Sequence, residues 1–154
     1  MAEDKQNGTQ EETQVVAFKL LDEEYGVSIL NVQEIRNMTD ITRVPFAADF
    51  IKGVINLRGS VLPVIDLKKR LGLAETPYTE NTRIVTVTVD ELHVGMLVDA
   101  VTEVLTIGSK VVDTKKATNE RSDTRFLNGI GNVDGRLIIM LNLEAIIGAT
   151  GDGK

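Results

Sequence analysis

The feature that most constrains what this chain can fold into is an internal repeat. Residues 25–35 align without a gap with residues 94–104, and a glycine, a valine and a glutamate recur in register. A second block repeats too, with the matching positions Phe50/Phe126, Gly53/Gly129, Asn56/Asn132, Gly59/Gly135, Leu67/Leu143 and Gly72/Gly148. Two blocks that match in the same order indicate a duplication, so we expect two copies of one folding unit.

The duplication sets the expected domain organisation. The copies span about 15–73 and 83–148, and the linker 74–82 contains Pro77 and polar residues that break any regular pattern. Because a unit of about 60 residues is marginal by itself, we expect 15–148 to form a single domain. The polar ends, 1–14 and 149–154, are predicted to be tails, and 110–125 is predicted to be a long solvated connection.

Each copy is predicted to open with a β-hairpin. Residues 15–21 and 84–89 are rich in apolar and β-branched side chains, and each run ends at an acidic turn before another β run. Residues 32–38 are also compatible with a helix. Their counterpart 101–107 carries too many β-branched residues for a helix, so we predict strands for both segments.

Each copy is predicted to close with a second hairpin and a short helix. The Asn-x-x-Gly segment of each copy lies between two apolar runs, and its Asn and Gly are expected to supply the positive φ of a tight turn. Asp66 and Asn142 are candidate N-caps, and the helices that follow are predicted to end at Gly72 and Gly148. About five short strands and one helix per copy favour a mostly β fold of two small barrels over one open sheet.

Composition excludes several classes of function. The chain has no cysteine, so disulfides, thiolate metal sites and thiol nucleophiles are excluded. A formal net charge of −6 and 4% aromatic residues do not suit nucleic-acid binding, which uses clustered cations and stacking platforms. No apolar run approaches the roughly 18 residues of a membrane-spanning helix. We therefore expect a cytoplasmic protein with no nucleic-acid partner and no membrane insertion.

The sequence contains no recognisable catalytic constellation. The single histidine, His93, has no candidate acid, base or metal-ligand partner among its neighbours, and the motifs of phosphate loops, zinc proteases and serine hydrolases are missing. Asp66 is explained as a helix cap, and Asp99 aligns with Leu30 in the other copy, which argues against a pair of catalytic carboxylates. We predict a protein that is not an enzyme and uses no metal or other cofactor.

Three runs of the sequence resemble the CheW family of bacterial chemotaxis coupling proteins. They are YGVSILNVQEIR at 25–36, FIKGVINLRG at 50–59 and PVIDL at 63–67, and the similarity extends over 15–148. The resemblance implies two interlocked Src-homology-3-like β-barrels. It also implies a non-catalytic scaffold that joins the cytoplasmic hairpin tips of chemoreceptors to the regulatory domain of the histidine kinase CheA.

The resemblance also implies receptor-binding residues, because in the family the receptor tip lies in the groove between the barrels. The positions carried over to this chain are Val32, Glu34, Gly53, Arg58 and Val104. No residue is assigned to the kinase surface. Alternation along the strand is expected to place Val32, Glu34 and Arg36 on one face.

Structural explanations compete with binding at several of these positions. Val104, like Ile35, is compatible with a plain core position, and Gly53 with a requirement of the backbone. Arg58 differs, because a turn gives no structural reason for arginine and the duplicate has Asp134 there. We expect Glu34 and Arg58 to face a partner, and the alternative is that the two residues pair only with each other.

A function of another class is also compatible with two small barrels, since such folds host many functions. The alternative is a small-molecule binder or an enzyme that uses the groove between the barrels as its pocket. That alternative requires convergent polar or titratable residues in the groove, and the sequence does not reveal any.

Overall fold

The computed structural model describes residues 13–107, 111–112 and 124–151. The strands are β1 (Thr13–Leu20), β2 (Glu23–Ser28), β3 (Val32–Asn37), β4 (Ile51–Leu57), β5 (Ser60–Asp66), β6 (Arg83–Val89), β7 (Leu92–Val98), β8 (Ala100–Ile107), β9 (Val111–Val112), β10 (Leu127–Val133) and β11 (Arg136–Leu141). The α-helices are α1 (Leu67–Leu71) and α2 (Leu143–Gly151), and single 3₁₀ turns occupy Ile29–Asn31 and Thr124–Phe126. The predicted mostly β class is confirmed.

The strands form two sheets, and each sheet takes strands from both copies of the repeat. The six-stranded sheet has the order β8-β1-β2-β11-β10-β9, and the five-stranded sheet has the order β3-β6-β7-β5-β4. The opening hairpin of each copy therefore lies between strands of the other copy. This exchange interlocks the two halves.

The repeat extends to the details of strand pairing. In the five-stranded sheet Val64 of β5 pairs in parallel with Gly95 of β7, and in the six-stranded sheet Met140 of β11 pairs in parallel with Gly26 of β2. These four residues occupy matching positions of the two copies. The strand register is thus repeated in both sheets, irregularities included, since the β1–β8 and β3–β6 pairs each contain a shift at the matching place.

The glycines of these parallel pairs allow a close approach of neighbouring side chains. A Cβ atom on Gly26 would lie 2.4 Å from Cγ1 of Val15, and a Cβ on Gly95 would lie 2.8 Å from Cγ2 of Ile84. Both distances are shorter than van der Waals contact. The repeated glycine of the sequence is therefore explained by packing.

The buried apolar side chains of the described residues form three clusters. The central core contains residues of both sheets, including Phe18, Val27, Val87 and Met96. A five-strand core is built around Ile55, Leu62, Val64, Ile84 and Leu97, and a six-strand core around Val15, Ile107 and Ile138. Each small core lies on the face of its sheet opposite the central core, because adjacent residues such as Ile84 and Val85 point to opposite sides.

Several sequence-based expectations need correction. Neither sheet closes into a barrel within the described residues, so the expectation of two small barrels is not met by a closed sheet, and Src-homology-3-like geometry stays a prediction. Strand β1 begins at Thr13, ahead of the expected 15, and α2 runs past Gly148 to Gly151. Residues 1–12 and most of 110–125 lie outside the described residues.

The turn chemistry also differs from the expectation. Positive φ occurs at Arg58 (54°) and Gly59 (87°), as it does at their counterparts Asp134 (53°) and Gly135 (87°), and not at the asparagine. Asn56 stabilises the turn through its side chain, whose Oδ1 accepts a hydrogen bond from Gly59 N at 3.1 Å. Asn132 accepts the equivalent hydrogen bond from Gly135 N at 3.0 Å. The repeat of the asparagine is therefore explained by this side-chain acceptor, which satisfies a backbone N–H of the turn.

Across the part of the chain that the structure describes, no helix has the length and hydrophobicity needed to cross a bilayer.

Candidate functional site

Glu34 and Arg58 lie in direct contact, although they come from opposite edges of the five-stranded sheet. Arg58 Nη2 at the β4–β5 turn forms an ion pair with Glu34 Oε2 on β3. Arg36 Nη1 donates to the other carboxylate oxygen of Glu34 at 3.0 Å. Arg36, and after it Arg58, hold the pKa of the Glu34 carboxyl below its usual value.

The same kind of link occurs in the six-stranded sheet. Glu103 is the counterpart of Glu34 in the second copy, and its Oε2 pairs with Arg136 Nη1 at the start of β11. Arg136 also binds Glu24, whose pKa it lowers through a hydrogen bond. In each sheet a glutamate–arginine pair therefore joins an edge strand to the second hairpin of a copy: β3 to the β4–β5 hairpin, and β8 to the β10–β11 hairpin. This gives the arginine in the turn a structural reason that its sequence context did not reveal.

A β-bulge changes which residues of β3 share a face. Val32 pairs with Val87 of the central core, whereas Glu34 pairs with Thr86, the residue before Val87 on β6. Gln33 is the extra residue between Val32 and Glu34. Cross-strand partners lie on the same side of a sheet. Val32 and Glu34 therefore point to opposite faces, and the expectation that they share one is wrong.

The apolar residues Ile35 and Val104 occupy matching positions on the edge strands β3 and β8. Ile35 pairs with Val85 and Val104 pairs with Val16, and both partners belong to the central core. Ile35 is 44% exposed and Val104 is 48% exposed. They are not plain core residues. They lie on the sheet faces that enclose the central core, where each sheet ends at an edge strand.

Gly53 and Val32 have structural roles in this arrangement. A Cβ atom on Gly53 would lie 2.2 Å from the carbonyl oxygen of Thr42, because Thr42 and Val54 exchange two backbone hydrogen bonds beside it. Val32 is half-buried and packs against the central core. The structure brings Glu34 and Arg58 together, and it does not bring Gly53, Val32 and Val104 into direct contact with that pair.

The other acidic and histidine candidates have local partners. Asp66 accepts a hydrogen bond from Lys69 N at 3.3 Å and caps α1, as expected. Asp99 binds Lys68 Nζ and Leu21 N, each at 2.7 Å. His93 is exposed at the surface, with Thr88 Oγ1 3.0 Å from its Nδ1. Within the described ranges, no three His, Cys, Asp or Glu side chains lie close enough together to hold a metal ion.

Two residues of the edge strand β3 were not among the site residues predicted from the sequence. Ile35 was considered only as a core residue, although it aligns with the candidate Val104 and shares its exposure. Arg36 was considered only for the face that it shares, yet it contributes a second cation to Glu34. The repeat alignment contained the signal for Ile35. The contact of Arg36 is consistent with the strand alternation that places Glu34 and Arg36 on one face, since both residues follow the bulge at Gln33.

Comparisons with known proteins agree on one family. The family model described as CheW-like domain matches residues 14–150. The probable chemotaxis protein CheW of Rhizobium etli is 37% identical over 141 residues, which cover 92% of this chain and 91% of the relative. Chemotaxis protein CheW of Thermotoga maritima is 35% identical over 136 residues, which cover 88% of each chain.

A solved structure shows the same fold. The crystal structure of the scaffolding protein TtCheW from Thermoanaerobacter tengcongensis has a TM-score of 0.83 and 35% sequence identity, with 92% of this chain and 97% of that chain covered. The sequence motifs, the family match and the shared fold all lead to the same conclusion: this chain belongs to the CheW family of chemotaxis proteins.

Proposed function

We propose that this chain is a non-catalytic, cytoplasmic scaffold that couples the hairpin tips of chemoreceptors to the regulatory domain of the histidine kinase CheA. The observation that carries the proposal is the matched pair of exposed apolar residues, Ile35 and Val104. Exposed apolar side chains at equivalent places on two interlocked sheets suit a rod-like helical partner that contacts both sheets together.

Glu34, the acidic partner of Arg58, lies on the same edge strand as Ile35 but on the opposite face of the sheet. Its cross-strand partner is Thr86, whereas that of Ile35 is Val85. Arg58 remains 70% exposed while it pairs with Glu34. An arginine held by one carboxylate still has guanidinium donors for a partner. The apolar residues would supply contact area, and Arg58 would fix the orientation of the receptor tip.

The test measures binding of a receptor hairpin fragment and of the kinase regulatory domain separately, by calorimetry. Ile35→Asp and Val104→Asp should each weaken receptor binding at least about tenfold, because each buries an unpaired carboxylate against the partner. Leu137→Asp is the matched control, since Leu137 is 59% exposed on the hairpin of the six-stranded sheet. Binding of the unmodified chain to neither fragment would refute the coupling function.

A further inference from the structure

Arg70 lies where the two copies of the repeat meet. Its guanidinium carbon is 4.2 Å from the ring centre of Phe50 and 4.6 Å from that of Phe126. The two phenylalanines occupy matching positions of the two copies, and both are buried in the central core. One side chain of α1 is thus held between equivalent rings of the two halves.

The same guanidinium also holds the last helix of the second copy. Arg70 Nε donates to the carbonyl oxygen of Ile146, and Nη2 donates to that of Ala145, each at 3.2 Å. Ile146 is the position that matches Arg70 in the repeat, and it is apolar and fully buried. The junction is therefore asymmetric, because the second copy has no arginine at this position.

The hydrogen bonds and ring contacts of Arg70 are directional, whereas the apolar contacts that make up most of the central core are not. Burial of apolar surface depends on area and tolerates small rotations of one sheet against the other. Two hydrogen bonds and two ring faces can be satisfied by a planar guanidinium in only a narrow range of geometries. A lysine ammonium has no planar fork, so it would not reproduce the arrangement.

We propose that Arg70 is a positioning residue that fixes the orientation of the five-stranded sheet relative to the six-stranded sheet. Ile35 belongs to the five-stranded sheet and Val104 to the six-stranded sheet. Their spacing therefore follows from that orientation. The consequence for receptor binding rests on the proposed function, but the orientation itself does not.

Spin labels test the orientation directly. The chain has no cysteine, so Val61→Cys with Leu137→Cys places one label on each sheet, at matching exposed positions. In this background Arg70→Gln should broaden or shift the label-to-label distance distribution measured by pulsed electron paramagnetic resonance. Lys69→Gln removes a neighbouring charge from α1 and should leave the distribution unchanged. An unchanged distribution in folded Arg70→Gln overturns the proposal.

Arg70→Lys provides the second variant should Arg70→Gln fail to fold, and a distribution identical to that of the unmodified chain would equally overturn the proposal. Receptor-fragment binding is then measured on the same proteins, with about a fivefold loss expected for Arg70→Gln. A broadened distribution with unchanged receptor binding rejects the consequence for the groove. If Arg70→Gln broadens the distribution but the unmodified chain does not bind the receptor fragment, the positioning role of Arg70 is supported and the proposed function is rejected.

Discussion

The glutamate–arginine pair of the five-stranded sheet has a counterpart in the six-stranded sheet, and the counterpart allows a structural role to be separated from a binding role. Glu34 pairs with Arg58, and Glu103 pairs with Arg136. Both pairs join an edge strand to a hairpin. If both pairs served only the fold, loss of the Glu34–Arg58 pair and loss of the Glu103–Arg136 pair would affect receptor binding to a similar extent.

We predict that Glu34→Gln and Arg58→Gln each weaken receptor-fragment binding about tenfold, while Glu103→Gln has little effect. Glutamine preserves the size of the glutamate side chain and does not create the cluster of three cations that Glu34→Lys would form with Arg36 and Arg58. Isothermal calorimetry with the receptor fragment provides the measurement. Equal losses for Glu34→Gln and Glu103→Gln would assign both pairs to the fold.

Gly53 is expected to be required by the backbone and not by a partner. Gly53→Ala places a Cβ against the carbonyl oxygen of Thr42, and overpacking of this kind costs about 1–3 kcal/mol. Gly59→Ala is the control, because its Cβ meets no atom within 4 Å and only the positive φ of 87° opposes it. Denaturant unfolding should show the larger loss for Gly53→Ala. A stable Gly53→Ala protein with weakened receptor binding would place Gly53 in the interface.

The carboxylates of Glu24 and Glu34 should make the free energy of unfolding depend on pH in the acid range. Arg136 lowers the pKa of Glu24, and Arg36 with Arg58 lowers the pKa of Glu34, from an ordinary value of 4.5. A carboxylate with a lowered folded-state pKa stabilises the protein above its unfolded-state pKa, and this stability is lost as the pH falls through the folded-state pKa. Unfolding free energies measured below pH 4.5 should therefore depend less on pH in Glu24→Gln. An unchanged slope would contradict this linkage.

At the scale of elements, local patterns predicted most strands and failed where pairing is irregular. The β-branched counterpart of 32–38 correctly favoured a strand, and the side chain of Asp66 correctly indicated the start of α1. The bulge at Gln33 and the positive φ of Arg58 were not predicted, because both depend on what the neighbouring strand or turn requires. Consequently the face of Val32 was assigned incorrectly, and Glu34 and Arg58, which were expected to face a partner, are in contact with each other.

The start of β1 leads to a truncation experiment. Thr13 and Gln14 pair with Ile107 and Thr106 of β8, and Ile107 belongs to the six-strand core. Removal of 1–12 should leave the thermal midpoint within about 2 °C, because those residues have no apolar pattern to bury. Removal of 1–14 should lower the midpoint further, because two ladder positions beside Ile107 are lost. Equal midpoints for the two truncations would show that these positions contribute nothing.

At the scale of the whole molecule, the duplication was visible in the sequence and the exchange of hairpins was not. Matching residues reveal two copies, but they do not reveal whether each copy pairs with itself or with the other. Interlocking was an implication of the family resemblance. The structure shows its form, since β6 and β7 separate β3 from β5 within the five-stranded sheet.

This exchange means that neither copy should fold alone. In a fragment of residues 15–73 the strands β6 and β7 are missing, so β3 has no neighbour and the five-strand core loses Ile84 and Leu97. A chain of about 60 residues has little stability to spare for such a loss. We expect collapsed amide shifts for 15–73 in a two-dimensional NMR spectrum, and the same for 83–148.

Mixing the two fragments supplies the control, because each hairpin can then insert between the strands of the other copy and a dispersed spectrum should return. Analytical ultracentrifugation of 15–73 alone separates two further outcomes. A dispersed spectrum from a dimer would mean that two identical copies exchange hairpins with each other, which preserves the interlocked arrangement. A dispersed spectrum from a monomer of 15–73 would mean that one copy completes its own sheet, and the dependence of each half on the other would then be wrong.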